Sequence, residues 1–456
     1  MPLPDPFPIV PATGTLSADL RIPGSKSITN RALVLAALSP GTVTLENALF
    51  SRDSRVMVDG LRRLGFEVEE RAPESRIRIG GLGGKIPGPT ATLHVGNSGT
   101  TSRFLAAMVC LRCGGTYRFE GDPEMERRPM RGLLDALIQS GVAEVTCHKQ
   151  TGCVPFTLQT RGIPASTFQV DARESSQMLS ALLLAGAAAS GPVRLRTEEG
   201  AFRRAYVNLT LGVLRAFGVD VEASTERDLF RMNPGVPGPP EQTYTVEPDA
   251  SSASYFLAAP LVVPGKVTLL GFDADNSLQG DTAFLEVLKA SGLRAESRPE
   301  GLSVSGDGRI LQAWSGNFYE FSDTFLTYAA LAPLFPAPAT LRGLEHTRRQ
   351  ETDRVAGMAR ELKKCGVGVE ESPGALSLSP PEQALNPLAI NDRPVMIETY
   401  KDHRFAMSFA ILGLHDRFAD GKPWLAIQDP ACCGKTFPGF FDTLQALYHP
   451  SSPAAP

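Results

Sequence analysis

The chain has 456 residues, more than one simple hydrophobic core usually serves, so its length favours two or three domains. A formal net charge of −4 argues against a whole-protein affinity for nucleic acid or for an anionic membrane. No stretch approaches the roughly 18 uninterrupted apolar residues of a membrane span. Any binding site for anions must therefore be built locally.

The cysteines favour a reduced, cytoplasmic protein. There are seven, an odd number, and their spacing is irregular. Cys110 and Cys113 form a single CxxC within a predicted helix, without the second cysteine or histidine pair that a zinc site needs. The proline-rich start of the chain lacks the charged residues and apolar run of a signal peptide. We expect neither a metal nor a redox role.

Six polar segments recur in chain order, each followed by a short apolar helix. They are SKSITNRALVLAAL from Ser25, NSGTTSRFLAAM from Asn97, ESSQMLSALLLAG from Glu174, DASSASYFLAAPL from Asp249, SDTFLTYAALAPL from Ser322 and KDHRFAMSFAIL from Lys401. The helices are apolar on every face, which predicts that they are buried. Their polar starts suit helix capping, the simpler interpretation of any one of them. Six such starts, several beside a cation, favour helix N-termini that converge on an anion.

A second repeat has the same rhythm. Leucines at helical spacing, then a glycine, then alternating apolar residues occur around Gly65, Gly141, Gly218, Gly292 and Gly366, at intervals of 74 to 77 residues by subtraction. A glycine just after a leucine-rich helix is a C-cap signal, and the alternation that follows predicts a strand. FFDTLQAL near Leu444 is a truncated sixth copy. The sequence therefore predicts six units of about 75 residues.

The residues most suited to chemistry are cations beside the helix starts and two carboxylates. The cations are Lys26, Arg31, Arg103, Arg128, Arg354, His403, Arg404 and Lys435. For any single arginine a solvated surface position is the commoner case, but several together suit a substrate set with several negative charges. Asp323 and Glu351 could transfer protons, although an ion pair is the simpler role for Glu351. The chain has no P-loop, GxGxxG or GxSxG motif, which weighs against NTPases, dinucleotide oxidoreductases and hydrolases.

These motifs resemble the 5-enolpyruvylshikimate-3-phosphate (EPSP) synthase family from about Leu20 to about Leu444. The resemblance rests on PGSKSITNRAL, GNSGTTSRF, RRPM, ESSQMLSALL, PDASSASYFLAA, ETDR, DHRFAMSF and KTFPGFF, in the family's order. It implies an α/β fold, a two-domain inside-out α/β barrel in which each domain contains three βαβαββ units. One domain would comprise 1–22 and 250–456 and carry the phosphoenolpyruvate and catalytic residues. The inserted domain, 23–249, would lie on the shikimate 3-phosphate side of an interdomain cleft.

The resemblance also implies residue roles. The catalytic residues would be Lys26, Asp323 and Glu351. The phosphoenolpyruvate-binding residues would be Lys26, Asn97, Gly99, Arg128, Arg354, His403, Arg404 and Lys435. The shikimate-3-phosphate-binding residues would be Lys26, Ser27, Arg31, Ser175, Ser176, Gln177, Tyr206, Asp323 and Gln350. We expect these two small substrates, no cofactor or metal, no nucleic-acid or membrane partner, and a monomer in the cytoplasm.

Several positions depart from the family pattern. Gln350 stands where a lysine is common, His346 where an asparagine is common and Arg203 where a serine is common, all on the acceptor side. Arg203, Arg348 or Arg349 could replace the charge absent at Gln350. Phe104 stands where many members have proline, and we expect it to reduce sensitivity to glyphosate.

Two other interpretations stay open. An enolpyruvyl transferase acting on UDP-N-acetylglucosamine usually has a cysteine in the mobile loop, whereas GDPEMERRPM has none; another nucleotide acceptor remains compatible with Gln350 and Arg203. A non-catalytic anion-binding protein would not need the proton-transfer carboxylates Asp323 and Glu351.

Overall fold

The computed structural model describes residues 3–198, 202–224, 229–233, 235–381 and 394–447. Contacts between residues divide the chain into two compact units. The terminal unit comprises Met1–Pro23 and Pro248–Ala455, and the inserted unit comprises Gly24–Glu247. The chain therefore leaves the terminal unit once and returns to it once.

The helices and strands follow one another in chain order. The first segment of the terminal unit contains β1 (Phe7–Ile9) and β2 (Leu16–Leu20). The inserted unit contains α1 (Lys26–Leu38), β3 (Pro40–Glu46), α2 (Arg52–Arg63), β4 (Val68–Arg71), β5 (Arg76–Leu82), β6 (Thr90–His94), α3 (Gly99–Met108), β7 (Cys113–Glu120), α4 (Arg131–Gln139), β8 (Ala143–Cys147), β9 (Phe156–Arg161), β10 (Ser166–Gln169), α5 (Gln177–Gly186), β11 (Val193–Arg196), α6 (Arg204–Ala216), β12 (Glu222–Ser224), β13 (Leu229–Met232) and β14 (Thr243–Thr245). The second segment of the terminal unit contains α7 (Ala250–Ala258), β15 (Pro264–Leu270), α8 (Phe284–Ala290), β16 (Arg294–Arg298), β17 (Gly301–Asp307), β18 (Gly316–Asn317), α9 (Phe325–Ala330), β19 (Ala339–Arg342), α10 (Arg354–Lys364), β20 (Gly368–Ser372), β21 (Ala375–Ser379), β22 (Val395–Ile397), α11 (His403–Gly413), β23 (Leu425–Ile427) and α12 (Phe440–Ala446).

The strands form small sheets of one repeated design. In the inserted unit their orders are β14-β3-β5-β4, β6-β7-β9-β8 and β10-β11-β13-β12. In the terminal unit they are β16-β17-β15-β2, β18-β19-β21-β20 and the three-stranded β1-β23-β22. Each sheet contains one parallel pair, and its remaining pairs are antiparallel. A parallel pair needs a crossover between its strands, and a helix supplies it in β6-α3-β7, β10-α5-β11, β18-α9-β19 and β22-α11-β23.

Two sheets show where the inserted unit interrupts the repeat. β2 pairs in parallel with β15, although the whole inserted unit and α7 lie between them in the chain. Within the inserted unit, β14 near its end pairs in parallel with β3 near its start. Each unit therefore completes its first sheet with strands that are distant in sequence.

The apolar helices form the centre of each unit, as the sequence predicts. α1, α3 and α5 pack on one another in the inserted unit, as do α7, α9 and α11 in the terminal unit. Nearly every residue of these helices is buried. The central position of these six helices agrees with the inside-out arrangement expected.

The five repeated glycines end helices, which confirms their C-cap interpretation. α2, α4, α6, α8 and α10 each stop just before one of them. Their φ angles are 94° at Gly65, 73° at Gly141, 72° at Gly218, 111° at Gly292 and 84° at Gly366. These are left-handed values, which glycine adopts without a Cβ clash. A strand follows each glycine.

One expectation about the cysteines is wrong. Cys110 lies in a 3₁₀ turn, Val109–Leu111, and Cys113 begins β7, so the CxxC does not lie within one helix. The chain must end α3 there to enter the strand that pairs with β6. Within the described residues, no three His, Cys, Asp or Glu side chains come together in a way that could hold a metal ion.

Candidate active site

In the inserted unit, Arg31 joins the first turns of three helices. Its side chain is about 1% exposed. Its Nε donates to Thr210 Oγ1 on α6 at 2.8 Å, and its Nη2 donates to Ser180 Oγ on α5 at 3.3 Å. Nη1 donates to the carbonyl of Ser27 at 2.8 Å. Burial lowers the pKa of Arg31 to about 10, and these contacts hold α1, α5 and α6 together.

At the start of α1, Lys26 faces a carboxylate that the sequence did not single out. Lys26 Nζ lies 3.9 Å from Asp53 Oδ2, and Asp53 is buried in the first turn of α2. Ser25 caps α1 by accepting from the amide of Ile28. Ser27 is half-buried in the first turn. The motif SRDSR, with a serine cap before an aspartate, could have pointed to Asp53 as a first-turn carboxylate.

The start of α3 brings two guanidinium groups against a glycine. Arg128 Nη1 donates to the carbonyl and to Oδ1 of Asn97, at 3.0 and 3.1 Å. Arg103 Nη1 donates to Gln177 Oε1 at 2.8 Å. A Cβ atom at Gly99 would lie 2.5 Å from Arg103 Nη1 and 2.8 Å from Arg128 Nη2. Asn97, Gly99, Arg103, Arg128 and Gln177 therefore form one cluster at the start of α3.

The start of α5 carries a buried hydroxyl group with an unused hydrogen-bonding capacity. Ser176 is 2% exposed, and its Oγ has no hydrogen-bond partner among the described residues. Its side chain does not cap α5. Ser175 Oγ accepts from the amide of Gln177 at 3.3 Å. Because buried polar groups are normally paired, Ser176 at a helix N-terminus suits an anionic ligand.

The start of α6 places Arg203 against Tyr206. The guanidinium carbon of Arg203 lies 4.8 Å from the centre of the Tyr206 ring, in a cation–π contact. Tyr206 is half-buried, and its carbonyl accepts from Thr210 Oγ1 at 2.8 Å. The same carbonyl accepts from Arg31 Nη2, so Tyr206 belongs to the network around Arg31. Phe104 is also part of it, since the guanidinium carbon of Arg31 lies 5.1 Å from its ring centre.

In the terminal unit, Arg354 at the start of α10 is the centre of a second network. It is about 1% exposed. It donates to Asp402 Oδ2 at 2.7 Å, to Asp323 Oδ1 at 2.9 Å and to Glu351 Oε2 at 3.0 Å. Burial alone lowers the pKa of Arg354, but the charges of these carboxylates outweigh burial and raise it. Arg354 therefore stays charged.

Arg404 and Lys435 bind the same carboxylates from other elements. Arg404 Nη2 donates to Asp323 Oδ2 at 2.7 Å, and its Nη1 lies 3.3 Å from the hydroxyl of Tyr255. Lys435 Nζ donates to Glu351 Oε1 at 2.8 Å. Asp323 thus lies between two arginines, and Glu351 lies between an arginine and a lysine. Each carboxylate can accept or release a proton against fixed positive charge.

His403 and Gln350 flank this network. His403 is buried, with Nδ1 3.5 Å from Asp402 Oδ1, and Asp402 also caps α11 by accepting from the amide of Arg404. The Gln350 side-chain oxygen accepts from Arg354 Nη1. The structure thus places Gln350 in the Arg354 network.

His346, a departure from the family pattern, and Arg348, a candidate to replace the charge absent at Gln350, both have structural contacts. His346 Nε2 lies 2.8 Å from Ser322 Oγ, next to Asp323. Arg348 binds Asp353 at 3.0 Å and Glu371 at 2.8 Å. Because Arg348 already forms ion pairs with two carboxylates, it is a poor replacement for the lysine charge that is absent at Gln350.

The structure groups the expected site residues by unit. Lys26, Ser27, Arg31, Asn97, Gly99, Arg128, Ser175, Ser176, Gln177 and Tyr206 lie in the inserted unit, at the starts of its helices or in the loops before them. The other expected site residues lie in the terminal unit, and all of them belong to the Arg354 network or flank it: Asp323, Gln350, Glu351, Arg354, His403, Arg404 and Lys435. Sequence reasoning missed Asp53 and Tyr255.

Comparisons with known proteins agree on one family. The model of EPSP synthase (3-phosphoshikimate 1-carboxyvinyltransferase) matches residues 10–444. A 3-phosphoshikimate 1-carboxyvinyltransferase of Opitutus terrae is 44% identical, over 98% of this chain and 98% of its own length. One from Nostoc punctiforme is 39% identical over 93% of this chain and 95% of its own length. The chloroplastic enzyme of Petunia hybrida is 37% identical, over 94% of this chain and 83% of its own length.

Solved structures show the same fold. EPSP synthase from Acinetobacter baumannii has a TM-score of 0.76 at 23% identity, covering 97% of this chain and 98% of that one. The enolpyruvyl transferase NikO from Streptomyces tendae has a TM-score of 0.69 at 16% identity, covering 96% of both chains. These likenesses establish the two-domain inside-out α/β fold class.

Proposed function

Because the chain belongs to the EPSP synthase family, we propose that it transfers the enolpyruvyl group of phosphoenolpyruvate to the 5-hydroxyl of shikimate 3-phosphate and releases phosphate. This is the 3-phosphoshikimate 1-carboxyvinyltransferase reaction of the shikimate pathway. One structural observation carries the proposal. Asp323 and Glu351 are both held by buried cations, and these are the groups that a double proton transfer beside an anion requires.

The reaction is an addition followed by an elimination. The oxygen of the 5-hydroxyl forms a bond to C2 of phosphoenolpyruvate, Asp323 takes the hydroxyl proton, and C3 gains a proton. The resulting tetrahedral intermediate loses phosphate from C2 and one proton from C3, which restores the double bond. Glu351, with Lys26 or Lys435, handles the proton at C3. The 2.8 Å hydrogen bond from Lys435 Nζ to Glu351 Oε1 supports this part of the proposal.

The cations would stabilise the charge that develops during these steps. Phosphoenolpyruvate carries a carboxylate and a phosphate, and Arg128, Arg354, Arg404 and Lys435 supply fixed positive charge for it. Arg354 and Arg404 already bind carboxylates in this structure, so an anionic substrate would share or replace those contacts. His403, Asn97 and Gly99 complete this group.

The acceptor would bind through the starts of α1, α5 and α6. The unpaired Ser176 hydroxyl, with Ser175 and Gln177, suits the 3-phosphate. Ser27 and Tyr206 would contact the ring substituents. Arg31 would support acceptor binding indirectly, because it holds α1, α5 and α6 together. A direct contact between Arg31 and the acceptor stays a prediction. Gln350 would contact the acceptor from the Arg354 network.

The reaction as written needs no organic cofactor or metal. In the described part of the chain, none of the helices has both the length and the apolarity that crossing a bilayer requires. We propose a monomer in the cytoplasm, consistent with the irregular set of free cysteines. Reduced inhibition by glyphosate also stays a prediction, based on Phe104.

The decisive experiment measures phosphate release from phosphoenolpyruvate with shikimate 3-phosphate and, separately, with UDP-N-acetylglucosamine. We expect release with shikimate 3-phosphate alone. Release only with the nucleotide sugar, or with neither acceptor from folded protein, would contradict the proposed acceptor. In that case Gln350 and Arg203 would be the positions to examine first.

A further inference from the structure

Asp281 is a buried carboxyl group for which the mechanism above has no use. It lies in a single 3₁₀ turn, Gly280–Ala283, before α8, and is 8% exposed. The preceding residue, Gln279, anchors this turn to the start of α7. Its Nε2 donates to the carbonyl of Pro248 at 2.7 Å, and its Oε1 accepts from the amide of Ala250 at 2.9 Å. Ser251 Oγ then donates to Asp281 Oδ2. Asp281 is therefore held in place by the hydrogen bond from Ser251 and by the contacts of Gln279 with the backbone just before Ser251.

The turn that holds Asp281 packs against the segment that leads to Asp323. The 3₁₀ turn Gly280–Ala283 contacts the 3₁₀ turn Tyr319–Phe321, and Asp323 follows two residues later. The charges of Asp323, Arg404 and Asp249 act on Asp281. They come from this segment, from α11 and from the N-cap of α7. Asp281 thus shares its surroundings with the proposed base and with one of the arginines that binds it.

We propose that Asp281 is a positioning residue that controls, through its own charge, how readily Asp323 accepts the proton of the acceptor hydroxyl. This inference rests on the proposed function. Arg354 and Arg404 both bind Asp323 and stabilise its negative charge. A second negative charge nearby acts in the opposite direction, because repulsion between like charges favours proton uptake. Asp281 supplies that charge when it ionises.

Asp281 ionises in the neutral pH range, where a change in its charge can affect the activity of the protein. Burial, and then repulsion from Asp323, raise the pKa of Asp281 to about 7. Asp249 raises it further, while the hydrogen bond from Ser251 and the charge of Arg404 lower it. Near neutral pH Asp281 therefore gains its charge beside Asp323, which two arginines bind. As the pH rises through this range, Asp281 loses its proton and Asp323 becomes the stronger base.

The test is the pH dependence of kcat and KM for the whole protein between pH 5.5 and 9. For the wild type we expect kcat to rise as the pH passes through about 7. Asp281→Asn keeps the shape of the side chain but cannot ionise. We expect it to lose this inflection and to show a kcat roughly 10-fold lower at pH 8, with KM changed much less. An inflection unchanged in Asp281→Asn would overturn the inference.

A second variant keeps the test informative even if Asp281→Asn folds poorly. Ser251→Ala removes the hydrogen bond that favours the ionised form of Asp281, so we expect the inflection to move to higher pH. A shift to lower pH, or none, would count against the proposal. Glu286→Gln in α8 is the matched control, since Glu286 is a largely exposed carboxylate paired with Lys289, and its profile should equal the wild type.

Asp323→Asn separates this inference from the proposed function. We expect it to lower kcat by about 10²- to 10⁴-fold, the usual contribution of a positioned base. Full activity in Asp323→Asn would remove Asp323 as the base, and the proposed function would need another. A large loss there, with an unchanged profile in Asp281→Asn, would reject the Asp281 inference alone.

Discussion

Arg31 in the inserted unit and Arg354 in the terminal unit are equally buried, yet their surroundings differ in charge. Arg31 donates to hydroxyl and carbonyl oxygens, and burial lowers its pKa. Arg354 donates to three carboxylates, which raise its pKa. Burial does not therefore decide what an arginine does. A guanidinium among neutral oxygens adds net positive charge to its region, which suits attraction of an anion. One among carboxylates holds ionisable groups in place, which suits proton transfer.

The largest expected effect tests this contrast through stability. Arg354→Met would leave the buried Asp402 and its neighbours without their main cation, and we expect a loss of roughly 3–5 kcal/mol. Arg31→Met leaves hydroxyl groups that already bond one another, such as Thr210 to Ser180 at 2.9 Å, so we expect only about 1–3 kcal/mol. Urea unfolding midpoints of the two variants measure the difference. Equal losses would show that the partners' charge is not what separates the two sites.

A smaller effect concerns the acceptor end of the inserted unit. Ser176→Ala removes a hydroxyl that has no partner among the described residues, so stability should be unchanged or slightly higher. If Ser176 binds the acceptor phosphate, KM for shikimate 3-phosphate should rise about 10- to 100-fold, with KM for phosphoenolpyruvate nearly unchanged. Steady-state kinetics with each substrate varied will show this. Ser190→Ala is a suitable control, since among the described residues that hydroxyl bonds the carbonyl of Ile163 alone. An unchanged acceptor KM would exclude Ser176 from the phosphate site.

The smallest expected effect is on the pH dependence of folding. The pKa of Asp281 is about 7 in the folded protein and near 3.8 ordinarily, so the folded state binds this proton more tightly. The stabilisation that this proton provides is complete below about pH 4 and is lost as the pH rises through 7. Between pH 5 and 8 we therefore expect the Tm of Asp281→Asn to rise relative to the wild type, by roughly 1–3 °C. Thermal scans at several pH values test this, with Glu286→Gln expected to follow the wild type. A Tm difference that stays constant with pH would contradict it.

The sequence was sufficient for features that depend on neighbours in the chain. The five glycines after leucine-rich helices all adopt left-handed φ angles, and the apolar helices are buried, because capping and periodicity are local properties. The family resemblance then identified cations and carboxylates that the structure does bring together around Arg354.

The features that the sequence did not predict depend on contacts between distant parts of the chain. Arg31 meets Thr210 and Ser180, which lie 179 and 149 residues away, and no spacing within the PGSKSITNRA segment encodes that meeting. Asp281 occupies a short turn after a glycine, where an exposed aspartate is the ordinary expectation. Only the packing of its turn against Tyr319–Phe321 brings it near Asp323. The CxxC failed as a helical motif because α3 ends at Met108, before both cysteines, and β7 begins at Cys113.

The pairing of β14 with β3 and of β2 with β15 indicates how the two units could be separated into independent polypeptides. Ser25 donates its amide to the carbonyl of Glu247 at 2.8 Å, so the two ends of the inserted unit are adjacent. The amide of Asp249 likewise donates to the carbonyl of Pro23 at 2.9 Å, so the terminal unit is nearly continuous without the insertion. Gene fragments encoding 24–247 alone, and 1–23 fused to 248–456, would each retain every strand pair of their own sheets. The inserted unit therefore interrupts the chain of the terminal unit at one point, and the two could be expressed as separate polypeptides.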